Sequence, residues 1–146
     1  YNPITGDLYS ATTGQGAFRN GKRISASSTT VLQDCILATG WPYDRSEYTR
    51  VFRMLSCFAQ RCQEVRITGS ASLNICYVAG GSIDGYWEWD LHPWDMAGGA
   101  VIALEAGCRL STLEGTPFPV LGHEIVVSNG YIHEEMLDVT GGIHRL

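Results

Sequence analysis

The run Gly69–Gly99, GSASLNICYVAGGSIDGYWEWDLHPWDMAGG, gives helix, strand and helix signals in succession, and its reading decides the fold class. Ser70 can cap a helix from Ala71 to about Ala79, closed by Gly80-Gly81. Ile83 to Trp89 alternates: Ile83, Gly85, Trp87 and Trp89 share one face, while Asp84, Tyr86 and Glu88 share the other. Pro93 then opens a second helix to about Ala106. Gly107 follows it, so Pro and Gly take their usual places at the two ends.

Upstream, Leu8–Thr12 reads as a short strand, and Ala17–Arg19 and Lys22–Ile24 flank Asn20-Gly21, a strong hairpin signal. A Ser/Thr cluster at 25–30 makes a loop. Cys35–Thr39 is an apolar run short enough for a buried strand, ended by Gly40 and Pro42. Asp44 or Ser46 caps a helix to about Cys62, with Val51, Phe52, Leu55, Phe58, Ala59 and Cys62 as its expected buried stripe. Val65–Ile67 is a brief strand. Downstream come a loop with short strands over 109–121, a strand at Ile125–Ser128 and a short helix over 131–139. Strands alternating with helices, without repeat or linker, predict one layered α/β domain over 1–146.

The 146 residues are 45% hydrophobic and 17% charged, a composition that excludes a disordered or collagenous chain. No apolar run approaches the ~20 residues of a bilayer-crossing helix. Lys and Arg total 10 against 15 Asp and Glu, and Lys22 is the single lysine. A net charge of −5 gives no electrostatic footprint for nucleic acid or anionic lipid. The cysteines at 35, 57, 62, 76 and 108 form no Cys-x-x-Cys pair and sit in apolar stretches. Free buried thiols in a reducing compartment, cytoplasm or an organelle stroma, are the expectation.

Three places could carry chemistry. Asp95 lies in the first turn of the Pro93 helix, where a carboxylate either complements the helix dipole or offers hard oxygens to Mg²⁺. Glu88 shares a strand face with Asp84 and Tyr86, and that face is either solvated or lines a cleft. Gly69-Ser70-Ala71 is either an ordinary helix cap or a turn whose backbone N–H groups meet an oxygen-rich ligand. His92, His123, His133 and His144 lack metal-site spacing and read as surface or loop residues. Nucleophile elbow, P-loop and dinucleotide fingerprints are absent from the sequence.

Trp94-Asp95-Met96-Ala97-Gly98-Gly99, followed by Ile102 and Glu105-Ala106-Gly107, resembles the second signature of the inositol monophosphatase family. The segment from Gly69-Ser70-Ala71 through Cys76, Val78-Ala79, Gly81 and Asp84-Gly85-Tyr86-Trp87-Glu88 is similar to the family's substrate-side segment. Tyr1-Asn2-Pro3, Leu8-Tyr9, Gly16-Ala17-Phe18, Asn20-Gly21 and Ile24 resemble its central hairpin.

The resemblance implies an α/β/α/β/α layered fold and a Mg²⁺-dependent phosphomonoesterase, commonly a homodimer and often lithium-sensitive. It makes Asp95 a metal ligand, and it places Gly69, Ser70, Ala71 and Glu88 against the hydroxyls of a polyol phosphate. It assigns no other catalytic residue to this chain. Gly98-Gly99 is expected to let its helix pack closely. The family's Gly-x-Glu-Glu helix and Asp-Pro-x-Asp-Gly-Thr loop do not occur here. The chain therefore reads as the C-terminal half of a longer phosphatase, its N-terminal metal-binding half missing, and inactive by itself. Inositol monophosphate is the expected substrate. Relatives acting on histidinol phosphate, fructose bisphosphate or 3′-phosphoadenosine nucleotides are the enzymatic alternatives, and a non-catalytic interaction module is the alternative of a different class.

Overall fold

Asn20 and Gly21 both take positive φ, 52° and 75°, as a tight two-residue hairpin turn requires. They join the second and third strands of a small antiparallel sheet, β1 (Tyr9–Thr12), β2 (Gly16–Arg19) and β3 (Lys22–Ile24). The computed structural model that shows this describes residues 1–144. The loop after β3 is tied down from within, because buried Asp84 accepts from Ser27 Oγ at 2.5 Å and from the Ile36 N–H at 2.8 Å.

The apolar run at 35–39 forms β4 (Ile36–Thr39), the centre of a second sheet. Helix α1 (Tyr48–Ala59) follows, then β5 (Glu64–Ile67), α2 (Ala71–Ala79), β6 (Gly85–Trp89), α3 (Pro93–Glu105), β7 (Arg109–Ser111), β8 (Glu124–Ser128) and α4 (His133–His144). The strand order is β5-β4-β6-β8-β7. β4 runs parallel to β5 and β6, and β8 runs antiparallel to β6 and β7.

Side-chain alternation sorts this sheet's residues into two cores. Leu37, Trp87, Trp89 and Val126 pack with Met54 and Phe58 of α1 and Met136 of α4. Ala38, Tyr86, Ile125 and Val127 pack with Ile75 and Val78 of α2 and Met96 and Ala103 of α3. The small sheet lies against the far side of α3, with Ala17 in the second core. The result is a layered α/β fold: helices, five-stranded sheet, helices, three-stranded sheet.

Four details depart from the sequence reading. The region after Asp44 first makes a 3₁₀ turn, Arg45–Glu47, and α1 then buries Val51, Met54 and Phe58. Phe52 and Ala59 face outward, because Phe52 joins Trp41 and Tyr48 in an aromatic cluster with ring centroids 5.6 and 6.4 Å away. Of the glycine pair, only Gly99 serves close packing: a Cβ there would come 2.9 Å from Ile75 of α2, whereas one on Gly98 would meet nothing. The C-terminal helix begins later and runs further than 131–139. All five cysteines are free, and all but Cys57 are buried. No helix among the described residues is long and apolar enough to cross a membrane.

Candidate active site

β5, β4 and β6 are parallel neighbours, so their carboxyl ends emerge side by side. The crevice beyond the carboxyl ends of parallel strands is where open α/β sheets usually hold ligands. Here the segment after β4 brings Gly40, Trp41 and Tyr43, the segment after β5 brings Gly69 and Ser70, and the end of β6 brings Glu88 and Leu91. With Asp95 of α3 they line a cavity of about 370 Å³. Gly69, Ser70, Ala71, Glu88 and Asp95, singled out in the sequence, all border this one cavity.

Gly69 has φ 88° and open space around it. Ser70 is the N-cap of α2, its Oγ accepting from the Leu73 N–H at 3.4 Å. Ala71 begins the helix. Asp95 is the third helical residue of α3, and its Oδ2 accepts from the His92 N–H at 2.9 Å. Its Oδ1 has no hydrogen bond among the described residues. The helix-cap reading of Asp95 is what the geometry shows, and it engages one of the two carboxylate oxygens.

Both faces of β6 are buried, and half-buried Glu88 borders the cavity, so its face is a cleft wall there and not a solvated surface. Glu88 accepts a short hydrogen bond from the Tyr86 hydroxyl. Burial pushes its carboxyl up to about 7, and the negative charges of Asp95 and Asp90 add to the rise while the Tyr86 hydrogen bond opposes it. Gly40 makes room for this carboxyl: a Cβ there would fall on it. Gly40, visible in the sequence as a strand terminator, was not legible as a site residue. The Tyr86 contact was legible as a shared strand face.

Among the described residues no histidine lines the cavity. His133 is fully buried, bonded at 2.9 Å through Nδ1 to Ser128 Oγ and through Nε2 to Ser111 Oγ, which corrects the surface expectation for it. His123 Nδ1 lies 2.9 Å from the Leu91 carbonyl, and His92 stacks on Trp94. The side chain of His144 lies outside the described residues. Among the described residues no group of three His, Cys, Asp or Glu is placed to hold a metal. Asp95, with one unshared carboxylate oxygen, fits Mg²⁺ as one hard ligand of several.

The profile of the inositol monophosphatase family matches residues 1–143. Nus factor SuhB of Escherichia coli (strain K12) is 38% identical over 138 residues, which cover 94% of this chain and 52% of that protein. Inositol-1-monophosphatase of Synechocystis sp. is 39% identical over 137 residues, covering 93% and 48%. The solved structure of inositol monophosphatase from Anabaena (Nostoc) sp. PCC 7120 superposes with a TM-score of 0.91 at 35% identity, covering 95% of this chain and 56% of that one. The chain thus spans about half the length of the relatives it matches. With its layered α/β fold and the Trp94-Asp95 helix start in place, the chain belongs to the inositol monophosphatase family.

Proposed function

We propose that this chain forms the polyol-binding side of a Mg²⁺-dependent phosphomonoesterase that hydrolyses inositol monophosphate to inositol and phosphate. The observation that carries the reading is the convergence of Glu88, the Gly69–Ala71 turn and the free oxygen of Asp95 on one cavity. Glu88 can accept hydrogen bonds from substrate hydroxyls, and the turn can donate to them. Asp95 would hold Mg²⁺, which polarises phosphate and activates water when bound. The other metal ligands would come from an N-terminal half. In the reaction water attacks phosphorus, the ester P–O bond breaks, and the alcohol oxygen leaves with a proton.

The pairing of a Gly-Ser-Ala turn with Glu88 favours a cyclitol phosphate over histidinol phosphate, fructose bisphosphate or 3′-phosphoadenosine nucleotides. Lithium sensitivity and a homodimer belong to the proposal on family membership alone. The five free cysteines fit a reducing compartment.

The test is phosphate release from inositol 1-phosphate by the full-length protein, with and without a chelator, beside Asp95→Asn. Release should require Mg²⁺, and the variant should lose at least about 100-fold in kcat with a smaller change in KM. Near-wild-type turnover of Asp95→Asn at saturating Mg²⁺ would remove Asp95 from the metal site. A protein that binds partners but releases no phosphate would be an interaction module instead.

A further inference from the structure

Asp90 is one of two non-glycine residues among the described ones with positive φ, at 63°. It stands just after β6, between Glu88 and Asp95, in a conformation that Asp tolerates better than most side chains. Its Oδ2 accepts from two successive backbone N–H groups, Tyr43 at 2.9 Å and Asp44 at 3.3 Å. Those amides belong to the segment after β4 that supplies Gly40, Trp41 and Tyr43 to the cavity. Trp41 is braced from the other side by Tyr48 and Phe52, with centroids 5.4 and 5.6 Å away. Tyr43 has no such brace. The residue is 83% exposed, and its backbone is held through Asp90.

We propose that Asp90 is a positioning residue, whose carboxylate clamps the Tyr43 and Asp44 amides and thereby fixes the aromatic wall that Trp41 and Tyr43 add to the cavity bordered by Glu88. The clamp joins the ends of the two parallel strands that bound the site. A fixed wall holds a bulky polyol against Glu88, whereas a small phosphomonoester does not reach it. The substrate half of this proposal rests on the polyol-phosphate reading above, and the clamp itself does not.

The test compares wild type, Asp90→Asn and Asp90→Gly in the full-length protein. Glycine accepts the left-handed backbone, so that variant removes the acceptor without straining the fold. Asparagine keeps an oxygen acceptor. Amide hydrogen exchange over Tyr43 and Asp44 should speed up about 10-fold in Asp90→Gly, the size expected for losing a charge-assisted hydrogen bond, and much less in Asp90→Asn. In the same variant KM for inositol 1-phosphate should rise several-fold with kcat nearly unchanged, and glycerol 2-phosphate should show neither change. Unchanged exchange in Asp90→Gly would overturn the clamp. Equal losses of kcat on both substrates would overturn the positioning role. A wild-type protein that hydrolyses neither phosphate would overturn the substrate half, and the exchange result would still decide the clamp.

Discussion

A methyl group on Gly40 would fall on the Glu88 carboxyl, the far end of a flexible side chain. Gly40 has no left-handed φ that an alanine would strain. Gly40→Ala should therefore push the carboxyl aside and leave the fold standing. We expect kcat/KM for inositol 1-phosphate to drop about 10- to 100-fold, the cost of a misplaced contact group, with the melting temperature lowered by several degrees because the buried Tyr86 hydroxyl loses its acceptor. Unchanged kinetics in a folded variant would mean that the position of Glu88 is immaterial. Strand alternation and a helix start, both local patterns, made Glu88 and Asp95 candidates in the sequence, and the family resemblance chose between the readings that each pattern left open. Gly40 and Asp90 were not legible there, because their importance arises only where β4 and β6 lie side by side.

At the scale of elements, His133 joins three: it opens α4 and bonds Ser111 of β7 and Ser128 of β8. Burial lowers its pKa from 6.5 to about 4, and Arg109 adds to the fall. The unfolded chain then binds the extra proton between pH 6.5 and 4, so this residue makes stability rise with pH through that window. Glu88, raised in an overlapping interval, pulls the opposite way, so the measurable quantity is a difference. The stability gap between wild type and His133→Gln should be wider at pH 7 than at pH 4 by on the order of 3 kcal/mol. Urea midpoints at the two pH values check it, and a constant gap would show that His133 titrates normally. The elements themselves were largely readable: caps at Ser70, Pro93 and Asp44 place three helix starts within a turn. The buried face of α1 was not readable, because the choice of Met54 over Phe52 depends on Trp41 and Tyr48 arriving beside Phe52.

For the molecule as a whole, the layered order followed from alternating elements, but the crevice at the ends of β5, β4 and β6 needed the strand order, which no local pattern encodes. Among the described residues no group of carboxylates is placed to organise a catalytic metal cluster, so we expect the isolated chain to release no phosphate from inositol 1-phosphate at any Mg²⁺ concentration. Chelator-sensitive turnover by the isolated chain would contradict the half-site. The central claim is that Glu88 reads substrate hydroxyls, and kcat/KM of Glu88→Gln in the full-length protein tests it most directly on two substrates. Assayed well above pH 7, where the raised Glu88 carboxyl is ionised, replacing the charged acceptor by an amide should cost about 1.5–3 kcal/mol with inositol 1-phosphate, or roughly one to two orders of magnitude. A small phosphomonoester without those hydroxyls should be hydrolysed nearly as before. Equal losses on both substrates, or none on either, would contradict it.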